Sequence, residues 1–484
     1  MVEVAVAVGA RPLVVDLDGT LINTDLLFEM ANQFVVRSPL EIPLLGAWLI
    51  RGKSVLKTRL AERVNVDAAA LPYNQPLLEW LLDQKASGRR LILATASPRK
   101  AADAIAGHLG LFDEVLATEE ALNLRDAAKR DVLLARYGDG GFDYVGDCAA
   151  DYAVWRAAEV AHIVGARASR LHNSGRISNA VQIVPHADRN TGRGLVRAMR
   201  PHQWMKNLLV FVPLLTAQHY GDLGALVQAV IAFLVFGMVA SSVYILNDLV
   251  DVADDRHHVR KRSRPFATGE VSLLAGWAFW PALLAIALCL SALLLPMAFL
   301  LVLVGYFGLT LAYSLRLKQI PMVDVLALAA LYTMRLVAGA AAITVALSFW
   351  LLAFSVFFFL SLAFVKRFSE LRSARLADGP GKLRGRGYLK EDLELVASLG
   401  TGAGYISVLV FALYIRDEHT GMLYHTPEFI WLACPLLLFW ISRAWLIAHR
   451  GDMHDDPIIF AIKDRTSWIT GALLAMSFAM ATIL

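Results

Sequence analysis

Cysteine is scarce in this chain of 484 residues: Cys148, Cys289 and Cys434 are the only three. They stand far apart with no metal-ligand spacing, which argues against a disulfide framework and against a zinc site. Charge is also thin, at 18% of residues against 57% hydrophobic. That balance is too apolar for an ordinary soluble protein of this size. The net charge of +4 is modest, and no nucleic-acid partner is expected from it. The N-terminus, MVEVAVAVGARPLVVD, lacks a basic start and runs directly into a strand pattern. No cleaved signal peptide is expected, and the first domain is expected in the cytoplasm.

The apolar residues are unevenly spread. Residues 1–200 have the pattern of a soluble α/β domain, and stacked apolar runs follow from about 205. A helical span needs about 20 apolar residues. Candidate spans fall near 205–220, 226–247, 273–295, 297–315, 322–344, 347–365, 395–415, 428–448 and 467–484. The first has the shortest apolar core, Leu208 to Leu215. With a cytoplasmic N-terminus, the inner loops hold 18 Lys and Arg, whereas the outer loops hold only Arg416. This asymmetry fits the positive-inside rule. It predicts a multi-pass protein of a bacterial-type inner (plasma) membrane, with the lipid bilayer as its surroundings.

Polar residues gather at the end of the second run. Asn247-Asp248-Leu249-Val250-Asp251-Val252-Ala253-Asp254-Asp255 crowds four aspartates and an asparagine into nine residues. Asn247, Asp251 and Asp255 recur at i, i+4 and i+8, which on a helix puts them on one face. Acids beside a bilayer are expensive unless they do something. Oxygen donors at this density suggest a divalent cation, most simply Mg²⁺ holding a diphosphate. The bases Lys261 and Arg262 follow at once.

In the first 190 residues, Leu13–Leu17 is an apolar run ending in Asp16-Leu17-Asp18-Gly19-Thr20, a buried strand followed by a Gly turn. Leu91–Thr95 is a second strand, Lys129 starts a helix, and Tyr144-Val145 leads into Gly146-Asp147 and Asp151. In this order the four segments resemble the haloacid-dehalogenase-type phosphohydrolases. The resemblance implies an α/β Rossmann-like domain with a small helical cap at about 25–88. It implies Asp16 as the nucleophile and Asp18 as the acid and base. Asp16, Asp18 and Asp147 would hold Mg²⁺ with Asp151 in support, and Thr95 and Lys129 would hold the phosphoryl oxygens. Within the cap, PLEIPLLGAWLI (Pro39–Ile50) is too short to span a bilayer. Core packing and contact with the bilayer surface both stay open for it. Residues 167–197 are mixed polar and basic, as a linker would be.

Three further polar groups stand at predicted cytoplasmic helix ends: RPHQWMKN with Lys206, YSLRLK with Tyr313 and Lys318 followed by Asp324, and FVKRFSEL with Lys366 and Arg367. With NDLVDVADD they resemble the UbiA-type intramembrane prenyltransferase superfamily, and most closely its decaprenyl-phosphate phosphoribosyltransferase branch. The resemblance implies an all-α membrane bundle of about nine helices over 191–484, following a phosphatase domain over 1–190. Asn247, Asp251 and Asp255 would ligate Mg²⁺. Asp248, Lys206, Lys261, Arg262, Tyr313, Lys318, Asp324, Lys366 and Arg367 would meet substrate. The reaction implied is transfer of 5-phosphoribose from phosphoribosyl diphosphate to a polyprenyl phosphate. The fused phosphatase is expected to remove the 5-phosphate, leaving a precursor of arabinose donors for the cell envelope. Aromatic-acceptor members usually carry a second Asp-rich motif, and here the single Asp324 stands in its place. A prenyltransferase acting on an aromatic or other small acceptor remains the alternative, and a non-catalytic membrane scaffold a third.

Overall fold

The computed structural model describes residues 11–118, 124, 127–165, 180–184, 190–258, 260–378, 381–383, 386–416, 424–453 and 456–483. Most of the expected linker at 167–197, and the first ten residues on which the absence of a signal peptide was argued, lie outside them. By packing, the chain forms two units: Met1–Ala198 with Ile245–Phe279, and Met199–Tyr244 with Trp280–Leu484.

The first unit is built on a six-stranded parallel sheet in the order β3-β2-β1-β4-β5-β6. The strands are β1 (Leu13–Val15), β2 (Leu91–Pro98), β3 (Glu114–Thr118), β4 (Asp143–Gly146), β5 (Val160–Val164) and β6 (Ala180–Val184). Continuous apolar runs such as LVV and LILA suit strands covered on both faces. Val14 pairs with Ile92 on one side and Tyr144 on the other. Helices α4 (Gln75–Ala86), α5 (Arg99–Leu109) and α6 (Ala127–Tyr137) accompany the sheet. Within the segment 25–88, expected as a cap, one small helical subdomain stands apart. It comprises α1 (Leu26–Arg37), α2 (Ile42–Ile50) and α3 (Lys53–Arg63), with a core of its own around Met30, Phe34, Trp48 and Leu60. Residues 75–86 belong instead to the sheet, because Leu77, Leu78 and Leu81 are buried in its core.

The rest of the described chain is helical. Among the described residues, eight helices are long and apolar enough to cross a membrane. They are α7 (Leu223–Val250), α9 (Leu273–Leu294), α10 (Met297–Leu315), α11 (Val323–Ala342), α12 (Phe349–Asp378), α13 (Leu393–Ile415), α14 (Ala433–Arg450) and α16 (Arg465–Ile483); α8 (Val252–His257) and α15 (Pro457–Lys463) are short. The count is one fewer than the nine expected. The run near 205–220 forms a 3₁₀ stretch, Pro201–Phe211, and a short helix, Val212–Thr216. Pro201 and Pro213 remove two backbone donors there, and an eight-residue apolar core is too short for a span. Helices α12 and α13 pack through small residues: a Cβ on Gly400 would stand 2.5 Å from that of Phe364.

One ion pair fixes the cap. Glu29 on α1, 1% exposed, receives both Arg256 Nη atoms at 2.7 and 2.9 Å. Beside it Asn32 Nδ2 donates to Leu249 O at 3.0 Å, and Trp277 Nε1 donates to Asn32 Oδ1 at 2.8 Å. All five residues lie in the first unit, so α1 is held by the ends of membrane helices. Removing one partner of a buried pair leaves an uncompensated charge, at a cost of about 3–5 kcal/mol. Glu29→Ala is therefore expected to lower the unfolding temperature of the detergent-solubilised protein by several degrees, and Glu79→Ala on exposed helix surface to leave it unchanged.

Candidate active sites

The carboxyl ends of β1, β2 and β4 lie side by side, and each carries a predicted residue: Asp16, Thr95 and Asp147. Strand order reverses at β1, the place where open parallel sheets gather ligands. Lys129 Nζ, on the first turn of α6, donates to Asp16 Oδ1 at 2.6 Å and to Tyr144 Oη at 2.9 Å. Tyr144 Oη in turn donates to Asp151 Oδ1 at 2.8 Å. Asp151 Oδ2 accepts the backbone N–H groups of Asp147 and Cys148 at 3.1 and 3.2 Å, which sets the loop carrying Asp147. Asp18 accepts from Leu26 N at 2.7 Å and from Ser97 Oγ at 2.8 Å, and Thr95 Oγ1 lies 3.5 Å away. Ser97 was not singled out in the sequence, although its place two residues beyond Thr95 on one strand was a signal. The two acidic loops meet at Gly19, whose φ is +80°; a Cβ there would stand 2.7 Å from Asp147 Oδ2.

Electrostatics at this site follow from burial. Burial lifts the Asp16 carboxyl to about 8, against the pull of Lys129. Burial also opposes the Lys129 charge, but Asp16 and Asp151 outweigh it and hold its pKa above the ordinary lysine value. Asp147, Cys148 and Asp151 bring donor atoms within 4.8 Å of one another. Both oxygens of Asp151 are already engaged, and burial pushes the Cys148 thiol well up. Asp16, Asp18 and Asp147 carry carboxylate oxygens, the donor type that suits a hard divalent cation.

The acidic segment spans the end of α7 and all of α8. Asp251 N donates to Asn247 O and Asp255 N to Asp251 O, each at 2.8 Å, so helical spacing persists across the break at Asp251. Asp248 and Asp255 are the most buried of the acids. Arg264 bridges them, with Nη1 3.0 Å from Asp248 Oδ1 and 2.6 Å from Asp255 Oδ2. Burial raises the Asp255 pKa in spite of this partner. Asp255 Oδ1 is buried with no hydrogen-bond partner, and Lys261 Nζ lies 3.9 Å from it. An orphaned carboxylate oxygen among oxygen donors fits a divalent cation. Arg262 faces solvent. Among the neighbouring bases, the turn Lys261–Ser263 thus brings Arg264, rather than Arg262, onto the acids.

In the second unit, Lys206 Nζ donates to Asp456 Oδ2 at 2.8 Å, and Lys366 Nζ lies 3.4 Å from the same oxygen. Tyr332 Oη donates to Asp456 at 2.9 Å. Arg335 packs over the Tyr332 ring at 5.4 Å, and its Nε donates to Asn207 Oδ1 at 3.1 Å. Two lysines meet one carboxylate, with Arg335 behind the Tyr332 ring, an excess of positive charge that suits an anion. Burial opposes the Asp456 charge, but Lys206 and Lys366 hold its pKa well below the usual carboxylate range. Asp456 and Tyr332 gave no sequence signal. Asp324 and Arg367, expected at the substrate, meet each other instead: Nη2 is 2.6 Å from Oδ2, both side chains are 0% exposed, and Tyr388 Oη donates to Asp324 at 2.6 Å. Tyr313 accepts from Arg386 at 3.0 Å, and Lys318 is half-buried in the turn Leu317–Gln319.

Residues 208–468, more than half of the chain, match the UbiA prenyltransferase family. The chain belongs to that family. Residues 13–154 match the haloacid dehalogenase-like hydrolases, so this UbiA protein is a multi-pass membrane protein with a hydrolase-type domain at its N-terminus. It is 38% identical over 474 residues to the uncharacterised protein y4nM of Sinorhizobium fredii, covering 97% of this chain and 91% of the relative. It is 39% identical to the nodulation protein NoeC of Azorhizobium caulinodans, over 58% of this chain and 92% of the relative. It is 30% identical to a decaprenyl-phosphate phosphoribosyltransferase of Mycobacterium tuberculosis, over 61% of this chain and 98% of the relative.

The Gly19 contact gives a direct test of the N-terminal site. Gly19→Ala forces a side chain into the left-handed region and against Asp147. A misplacement of about 1 Å at a reacting centre costs roughly 10²-fold. Hydrolysis of p-nitrophenyl phosphate should fall by about that factor in kcat, while the open Gly107→Ala keeps the wild-type rate.

Proposed function

We propose that this protein transfers 5-phosphoribose from phosphoribosyl diphosphate to a polyprenyl phosphate, and that its N-terminal domain then removes the 5-phosphate. The partnerless buried Oδ1 of Asp255, whose other oxygen shares Arg264 with Asp248, is the observation that carries the first step, with Asn247 and Asp251 proposed to join it. These residues are proposed to hold Mg²⁺, which when bound would offset the charge of the diphosphate leaving group. Lys206, Lys366 and Arg335 offer phosphate oxygens more positive charge than Asp456 offsets, and Lys261, Arg262 and Lys318 are proposed to add to it. An oxygen of the polyprenyl phosphate forms the bond to ribose C1 while the bond from C1 to the diphosphate breaks. That nucleophile is ionised near neutral pH, so no general base is required. The identity with the mycobacterial phosphoribosyltransferase, which this chain matches over 98% of its length, supports this donor. So does Asp324, which is engaged by Arg367 and Tyr388 and so is not available as a second acidic ligand.

For the second step, Asp16 is proposed to attack phosphorus while Asp18 protonates the departing ribose oxygen. Water then attacks the aspartyl phosphate and gives its proton to Asp18. Lys129 and Thr95 hold the phosphoryl oxygens, and Ser97 positions Asp18. The loop charges support an inner-membrane protein with this domain in the cytoplasm.

Product analysis by mass spectrometry tests both steps. Purified protein with Mg²⁺, phosphoribosyl diphosphate and decaprenyl phosphate should yield decaprenyl-phosphoryl ribose. Asp16→Asn should accumulate the 5-phosphorylated lipid instead, because loss of a nucleophile slows turnover by roughly 10³-fold or more. Asp255→Asn should reduce lipid product at least about 10²-fold. Absence of any ribosyl lipid, with consumption of a prenyl diphosphate and an aromatic acceptor, would replace this reading with prenyl transfer.

A further inference from the structure

We infer that the N-terminal cavity takes a phosphomonoester carried on an apolar, membrane-anchored tail. This rests on residues 13–154 acting as a phosphatase, and it extends that reading to the class of substrate and its route of entry.

The cavity has a volume of about 1260 Å³, larger than the roughly 300–1,000 Å³ of ordinary small-molecule sites. Asp16, Asp18 and Lys129 stand at one side of it. The remaining wall is mixed: Asp25, Ser54, Thr58, Glu62, Arg99 and Lys100 contribute to it, beside one broad apolar stretch. Phe28 of α1 and Leu45 and Leu49 of α2 line it, as do Leu274 and Trp277 from the first turns of the membrane helix α9. A soluble sugar phosphate is polar all round. Against that apolar stretch its hydroxyls would lose water without gaining partners. A phosphate on a lipid tail presents apolar surface that the same walls can bury. Lys53 and Lys57 line the cavity too, where they suit a second, bridging phosphate.

The outer face of the cap supports the same surroundings. Leu40 is 94% exposed and Ile50 89%, on a segment flanked by Arg37 and Arg51. A short apolar helix edged by bases is suited to lie in the headgroup layer of a bilayer. The bonds of Asn32 to Leu249 and Trp277 hold α1 to the ends of two membrane helices. Tryptophan at the head of a span favours that same layer. The cavity is thus bounded on one side by the phosphoryl-transfer groups and on another by residues of a membrane helix.

The test compares three phosphomonoesters with full-length protein in lipid nanodiscs: 5-phosphoribosyl decaprenyl phosphate, 1-oleoyl-lysophosphatidate and free ribose 5-phosphate. The expected result is a kcat/KM at least about 10²-fold higher for a lipid-linked substrate than for ribose 5-phosphate. Leu49→Glu should shrink that ratio at least tenfold, and Asp16→Asn should abolish all hydrolysis. Hydrolysis of lysophosphatidate but not of the phosphoribosyl lipid would uphold the lipid class and overturn the ribose-specific step proposed above. Equal or better hydrolysis of ribose 5-phosphate would overturn the inference and leave the phosphatase reading standing. No hydrolysis of any of the three would overturn both.

Discussion

A carboxylate taken out of water must be met by positive charge or by a full set of donors, and this requirement organises the polar interior of both units. Asp16 has Lys129, Glu29 has Arg256, Asp248 and Asp255 share Arg264, Asp324 has Arg367, and Asp456 has Lys206 and Lys366. Each arrangement carries a different surplus. Arg367 is shared by Asp324 and Glu370 and is closed to solvent with Asp324, as suits a cluster that holds helices together. Around Asp456 the cations exceed the acids, and around Asp255 the acids exceed the cations. Sites able to take up an anion or a cation are the ones left unbalanced.

Much of this was legible in the sequence, for identifiable reasons. Asp16, Asp147 and the strands that carry them follow from apolar runs broken by Gly, since strand and turn are local. The eight spans follow from hydropathy, because a bilayer imposes its thickness on every helix. The near-miss at 205–220 shows the limit of that rule, where two prolines convert an apolar run into a 3₁₀ stretch. Asp456 was invisible for a different reason. It sits in what reads as an ordinary polar loop and meets Lys206 across 250 positions of sequence. Arg264 was hidden by its neighbours, since in Lys261-Arg262-Ser263-Arg264 only the turn decides which base reaches the acids. Asp324 and Arg367 looked like substrate groups because composition cannot say whether two charges face a ligand or each other.

The packing of the first unit also departs from chain order. Its segment Ile245–Phe279 lies between membrane helices in sequence, yet it packs with residues 1–198. Here α1 is fastened to helix ends of the transferase, so the cap and the acidic segment share a foundation.

That sharing bears on how such a protein can be assembled from parts. The two halves look like cassettes, and a relative such as NoeC aligns with 58% of this chain over 92% of its own length. The pair of Glu29 with Arg256 makes the cassettes interdependent. Severed near residue 190, the soluble half would keep a glutamate shaped for burial with no counter-charge, and the membrane half would keep the orphaned arginine. A graft of this N-terminal domain onto another transferase would therefore need an arginine at the equivalent of position 256, and that single position is a diagnostic for which membrane partners it can accept.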